Sequence, residues 1–153
     1  MEMLLDLVAK HTDEQCEEIA VLIYKIFRQK KFLRHVWLQY IRERIKSGEY
    51  YLSKDKDAVI LFRVYKQQYR QNGVLIPKGA LIIKQIASMT PSAGKKLADE
   101  FEQIHGKTVM YATIRDDNEK TISLCHYFGF EQVSEKKLGK SYVSHIYRRN
   151  PRT

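Results

Sequence analysis

Cysteine is scarce in this chain. Its two cysteines, Cys16 and Cys125, lie far apart and supply neither a metal-ligand spacing nor a disulfide framework. That usage points to a reducing, cytoplasmic setting. The five histidines (His11, His35, His105, His126, His145) are scattered with no pair at a ligand spacing, so no metal is expected. Long apolar runs are missing too. The longest, Ile19 to Tyr24, falls far short of a membrane span, so no membrane partner is expected. The opening MEMLLDLVAKH has acids at Glu2 and Asp6 and no basic stretch, which excludes a secretory leader there. Internal repeats, low-complexity tracts and long linkers are absent. So are helix-turn-helix, zinc-finger and RNA-recognition patterns, which ranks a plain nucleic-acid-binding protein last among the function classes.

What is plentiful is positive charge. Lys and Arg number 27 against 18 Asp and Glu, a formal charge of +9. Such a balance draws a protein toward anions: nucleic acid, phosphorylated cofactors, acidic surfaces. A basic surface with no polyanion partner is the bland reading of the same number. The length of 153 residues fits one domain, residues 1–153, with one sizeable core.

The pattern along the chain alternates helix and strand. Leu4 to Val8 reads as a short strand. Thr12 to Gln15 has the spacing of a capping box, and Cys16, Ile19, Ala20, Ile23 and Phe27 follow at helical intervals. A basic loop leads to a second helix carrying Val36, Trp37, Tyr40, Ile41 and Ile45, which stops near Ser47-Gly48. Strands are expected at Tyr50 to Leu52, Ala58 to Gln68 and Ala80 to Met89, with turns at Asn72-Gly73 and Pro77-Lys78-Gly79. Leu97, Phe101 and Ile104 line one helix face. Thr108 to Arg115 reads as a strand, Asn118 to Phe128 as a helix, and Phe130 to Ser134 and Tyr142 to Arg148 as closing strands. The order β-α-α-β-β-β-α-β-α-β-β is that of a mixed α/β domain.

Two segments carry chemistry. Met89-Thr90-Pro91-Ser92-Ala93-Gly94-Lys95-Lys96-Leu97-Ala98 leaves a buried strand and opens a helix. A helix N-terminus presents unpartnered N–H groups, and small residues let a pyrophosphate approach them. Gly94 and Ala98 suit that approach, and Lys95 and Lys96 add charge; a basic turn without a ligand is the other reading. The second segment, Asn118 to Phe130, contains Cys125-His126-Tyr127. Successive helix residues are ~100° apart, so these three side chains diverge and make a poor nucleophile–base pair. Phe128 and Phe130 read as core residues, and Gly129 as a helix C-terminal glycine.

The element order and these segments resemble the GNAT superfamily of acyl-CoA N-acyltransferases. The family's cofactor motif reads roughly V-x-P-x-x-R-x-x-G-x-G/A. Pro91, Gly94 and Ala98 match it, while Ala93 and Lys96 stand where an arginine and a glycine are usual, in a loop one residue shorter. A second family pattern, N-x-x-A-x-x-x-Y-x-x-x-G-F, is matched by Asn118, Gly129 and Phe130 at the right spacing. Thr121 replaces the alanine, and Cys125 stands at the tyrosine. The resemblance implies a central mixed, largely antiparallel sheet flanked by about four helices.

The resemblance also implies acetyl-CoA as co-substrate and a primary amine as acceptor, with no metal. In the family the fourth and fifth strands splay and the pantetheine arm lies between them, pairing with backbone that matches Ala87, Ser88 and Met89. Ala93, Gly94, Lys95, Lys96, Leu97, Ala98 and Asn118 complete the implied cofactor site. Cys125 is either a small residue beside the cofactor sulfur or a substitute acid for the leaving thiolate. No acid stands between Ala80 and Ala98, so the usual base is missing there. The acceptor side matches Arg28 to His35, including Arg34, and Lys136 to Tyr142. Both stretches are basic and carry an aromatic, which suits an acceptor on or near nucleic acid or an acidic protein. A non-catalytic GNAT-like module that binds CoA or nucleic acid is the alternative.

Overall fold

The computed structural model describes residues 12–71, 73–134 and 143–152. The expected strand at Leu4 to Val8 and the stretch from Lys136 to Tyr142 lie outside these residues. Helix α1 (Asp13–Arg28) starts on the expected capping box: Thr12 Oγ1 accepts from the Gln15 N–H at 3.1 Å, and the Thr12 N–H donates back to Gln15 Oε1 at 2.9 Å. Helix α2 is Leu38–Lys46. Strands β1 (Tyr50–Leu52), β2 (Ala58–Val64), β5 (Leu81–Ser88), β6 (Met110–Arg115), β7 (Glu131–Gln132) and β8 (Ser144–Arg149) form one six-stranded sheet in the order β1-β2-β5-β6-β8-β7. All neighbours are antiparallel except β5 and β6, which run parallel. Helices α3 (Pro91–His105) and α4 (Glu119–Phe128) follow β5 and β6.

Strand alternation sorts the apolar side chains onto two faces. Ile60, Phe62, Leu81, Ile83, Met110, Ala112 and Tyr147 point toward α3 and α4, where they meet Leu97, Phe101, Cys125 and Phe128. Val59, Leu61 and Ala87 point the other way, under α1 and α2. The rest of that second face, with Ile82, Tyr111 and Ile146, is covered by a small hairpin of β3 (Tyr69–Gln71) and β4 (Val74–Ile76).

That hairpin departs from the reading of Ala58 to Gln68 as one strand. β2 ends at Val64, and the chain leaves the sheet where the Tyr65 and Ala80 backbones bond at 2.9 Å. Lys66, Gln67 and Gln68 carry no apolar alternation to hold them in it. The chain reverses at the expected turn, where Gly73 has φ +80°. The closing strand after α4 is also shorter than Phe130 to Ser134, because the Phe130 N–H returns to the Cys125 carbonyl at 2.8 Å and its ring enters the core. Gly129, at φ +98°, makes that helix-to-strand turn, as its place in the sequence implied.

Among the polar residues buried in the described part of the chain, Arg149 and His105 bear most on stability. Arg149, 1 % exposed, donates to the carbonyls of Phe128 (3.1 Å) and Gly106 (3.2 Å) at the ends of α4 and α3, and to the Glu102 carboxylate. It ties two helix C-termini to the last strand. His105 packs against Phe101 and Phe62, with ring centroids 4.6 and 5.2 Å away. Its Nε2 has no partner among the described residues, and burial pushes its pKa down from 6.5 to about 4.

The unfolded chain therefore binds more protons than the folded one between these two values, and stability rises with pH across that window. The His105 contribution is complete above pH 6.5 and is lost as pH falls through the folded pKa. Urea unfolding at pH 7.5 and 4.5 is expected to show a loss of about 2–3 kcal/mol from this residue. His105→Leu is expected to remove that share of the pH dependence; an unchanged slope would contradict the assignment.

Candidate active site

The parallel pair β5–β6 holds together over three residue pairs only: Leu81 with Met110, Ile82 with Tyr111 and Ile83 with Ala112. Beyond Ile83, β5 continues to Ser88 and β6 to Arg115 without pairing to each other. The cause lies on the other edge of β5. There Phe62 faces Ile83 and Leu61 faces Gln85, so Lys84 is an extra residue. An extra residue bends its strand and increases its twist. The bend falls at the last β5–β6 pair, and the two strands open into a fork. The edge from Gln85 to Ser88 then presents backbone groups that no described strand on that side takes up. Such an edge is a template for an extended amide-bearing chain.

Just past the fork, α3 begins. Pro91 occupies its first turn, and Thr90 Oγ1 accepts from the Ala93 N–H at 3.1 Å. The Gly94 N–H already bonds the Thr90 carbonyl, which leaves the Ser92 N–H as the open donor of this turn. Thr90 and Ser92, 3.1 Å apart through their hydroxyls, were not singled out from sequence, although a threonine before Pro-Ser is a recognisable cap. Lys95 and Lys96 are exposed. Lys95 lies over the Tyr127 ring at 5.5 Å, and Lys96 faces Asp55 at 3.5 Å.

The small residues of this turn face inward. Ala93, Leu97 and Ala98 are buried under the helix. A Cβ on Gly94 would come within 2.9 Å of Ser88 Oγ and 3.3 Å of Leu124 Cδ2. Its smallness lets α3 approach β5 and α4. At the end of β5, Ala87 is buried and Ser88 half-buried; Met89, just past the strand, is exposed, its N–H held by the Asp57 carbonyl at 2.9 Å. Asn118 caps α4 through Oδ1, which accepts from the Thr121 N–H at 3.3 Å. Cys125 sits in the core between α4 and the sheet, 2 % exposed. Burial pushes its thiol up to about 12, so it stays protonated. His126 and Tyr127 point outward, as the helical angle required.

The α1–α2 loop leans on the open end of β6. The Phe32 ring lies 4.8 Å from the Arg115 guanidinium, which also pairs with Asp117 at 2.9 and 3.0 Å. Lys30 is held below the usual lysine range by burial and by Lys120 nearby. Arg34, His35 and Trp37 are exposed on the same loop, Trp37 at 75 %. Tyr142, the other expected acceptor-side residue, lies outside the described residues.

A cavity of about 190 Å³ sits at the crotch of the fork, on the hairpin's face of the sheet. Ile83 and Lys84 of β5 and Ala112 and Thr113 of β6 line it, and Tyr65 and Gln71 close it from the hairpin side. One residue beyond Lys84, the Gln85 Oε1 is buried without a partner among the described residues. None of the residues lining the cavity is acidic, and neither β5 nor β6 contains an acid. Sequence reading missed this cavity because Lys84 looks like an ordinary strand residue. Among the described residues, no cluster of three His, Cys, Asp or Glu could hold a metal, and no helix is long and apolar enough to cross a membrane.

No protein-family model and no curated protein matches the chain. Solved structures do. A GNAT-family acetyltransferase from Streptococcus agalactiae superposes with a TM-score of 0.67 at 12% identity, over 94% of each chain. An N-acetyltransferase from Staphylococcus aureus superposes at 0.52 and 13% identity, over 90% of this chain and 96% of that one. The NatC complex bound to Gag peptide and CoA superposes at 0.57 and 14% identity, over 89% and 92%. At these identities the likeness is one of fold.

Proposed function

We propose that this chain, which has the fold of the GNAT acetyltransferases, moves an acetyl group from acetyl-CoA to a primary amine by direct transfer. The fork between β5 and β6 carries this reading, because it exposes a strand edge that no described strand satisfies. The residues fit the co-substrate. Backbone from Gln85 to Ser88 would pair with its pantetheine amides, and the open Ser92 N–H with Lys95 and Lys96 would meet its phosphates. Acetyl-CoA supplies an activated acyl group as a thioester.

The protein supplies orientation, and strand N–H groups that polarise the carbonyl. The amine nitrogen forms the new C–N bond as the C–S bond breaks; the sulfur leaves as a thiolate, and the amine's proton passes to solvent. With no carboxylate on either strand, the acceptor enters as the neutral amine. The cationic α1–α2 loop favours an acceptor that is itself anionic or is carried by an acidic partner.

A thiol-release assay over a panel of amines tests the reading; release only by water would count against transfer. The buried, protonated thiol gives Cys125 the role of a small core residue. Cys125→Ala is expected to leave the transfer rate within about twofold while costing about 1 kcal/mol of stability; a large fall in rate with the fold intact would assign it the acid role. The second reading, a CoA-binding module without catalysis, draws on the same buried thiol and missing carboxylate. It predicts acetyl-CoA binding with no thiol release for any amine.

A further inference from the structure

Resting on the transferase reading, we infer that the acceptor is a small amine that also bears a carboxylate or similar anion. It is held in the cavity at the crotch of the fork, and Lys84 selects it. The cavity opens on the sheet face opposite α3, since Ile82, Tyr111 and Ile146 belong to the cluster under the hairpin. The α3 N-terminus lies on the other face. The two substrates thus reach the fork from opposite sides and meet where Ile83 and Ala112 part.

The cavity's size limits the occupant. At about 190 Å³ it falls below the roughly 300–1,000 Å³ of sites for drug-sized ligands. It takes a group the size of one amino acid, which excludes an oligonucleotide or a folded protein surface from the cavity itself. Its chemistry limits the occupant further. The aliphatic lining is Ile76, Ile82, Ile83 and Ile146, and the polar lining is Lys84 with Tyr65, Gln71 and Thr113.

Among the described residues, Lys84 is the one charged residue lining the cavity, and it has no ion-pair partner. A cationic acceptor such as a diamine would place a second positive charge beside it with nothing to balance the pair. An amino-carboxylate places its anion at Lys84, its apolar part on the isoleucines and its amine toward the fork.

The test compares matched acceptors in the thiol-release assay: leucine with its methyl ester, a dipeptide opening with glutamate with its glutamine counterpart, and a diamine. The anionic member of a pair is expected to win by about fivefold or more in kcat/KM. The leucine pair responding reads as a free amino acid; the glutamate pair responding reads as the acidic first residue of a peptide. Lys84→Met is expected to bring the ratio near one with acetyl-CoA affinity unchanged, which also shows that the variant folds.

Acceptor affinity measured by NMR titration with CoA present reads the same preference without turnover. Equal use of both members, preference for the diamine, or a ratio that survives Lys84→Met overturns the inference while leaving the transferase reading intact. Failure of the wild-type protein to bind acetyl-CoA sinks the transferase reading instead.

Discussion

Arg149→Met is expected to destabilise the protein by about 3–5 kcal/mol, the range for breaking a buried charge network by removing one partner. For a chain of this size that corresponds to a fall in melting temperature of roughly 10 °C. The guanidinium is 1 % exposed and serves three acceptors at once: the Phe128 carbonyl, the Gly106 carbonyl and the Glu102 carboxylate. The two carbonyls close α4 and α3, so they carry the negative ends of both helix dipoles. Methionine fills much of the volume but donates nothing, leaving two buried carbonyls without this partner. Among the described residues, Glu102 would keep only Arg152 as an ion-pair partner, at 2.9 Å. Arg149→Lys should recover little of the loss, because a single ammonium cannot span three separated acceptors. A melting temperature within a few degrees of wild type for Arg149→Met would contradict this account of how the helices are fastened.

Deleting Lys84 is expected to weaken acetyl-CoA binding about tenfold or more while sparing the fold. The strand explains both halves of the result. Phe62 already faces Ile83 and Leu61 already faces Gln85, so removal of Lys84 keeps every β2–β5 pair. It also keeps the core side chains on their faces: Ile83 and Ile86 toward α3, Ala87 toward α1. What disappears is the bend. A straight β5 would continue pairing with β6 beyond Ala112, and the edge that awaits a ligand would be consumed. Each lost hydrogen bond to that edge is worth about 1 kcal/mol net, so two or three account for the factor. Calorimetry on the deletion and on Lys84→Met separates backbone from side chain. Equal losses in both variants would place the effect in the ammonium group and contradict the role given to the bulge.

Local features of this molecule were readable from the chain alone. The capping box at Thr12 and Gln15 and the helix-ending Gly129 depend on a few neighbouring residues each. Phe101, Phe128 and Phe130 reached the core because helical and strand periods had already assigned them a face. The fork did not announce itself. It arises from the register between β2 and β5, strands separated by the whole hairpin, and Lys84 looks like any exposed strand residue until that register is known. Gly94 shows the same limit from the other side. In sequence it reads as room for a phosphate, whereas its nearest neighbours are a strand serine and a leucine from the next helix. The burial of Cys125 under α4 likewise depends on how the helix sits on Ala112 and Tyr147.

Titration calorimetry of the wild-type chain with acetyl-CoA tests the central claim, that the fork is a site for this co-substrate. One saturable site per chain is expected, with a dissociation constant between about 1 μM and 1 mM, the usual span of enzyme–substrate affinities. It should weaken when Lys84 is deleted and persist in Lys84→Met. Absence of binding at millimolar acetyl-CoA, or binding indifferent to the deletion, would contradict it.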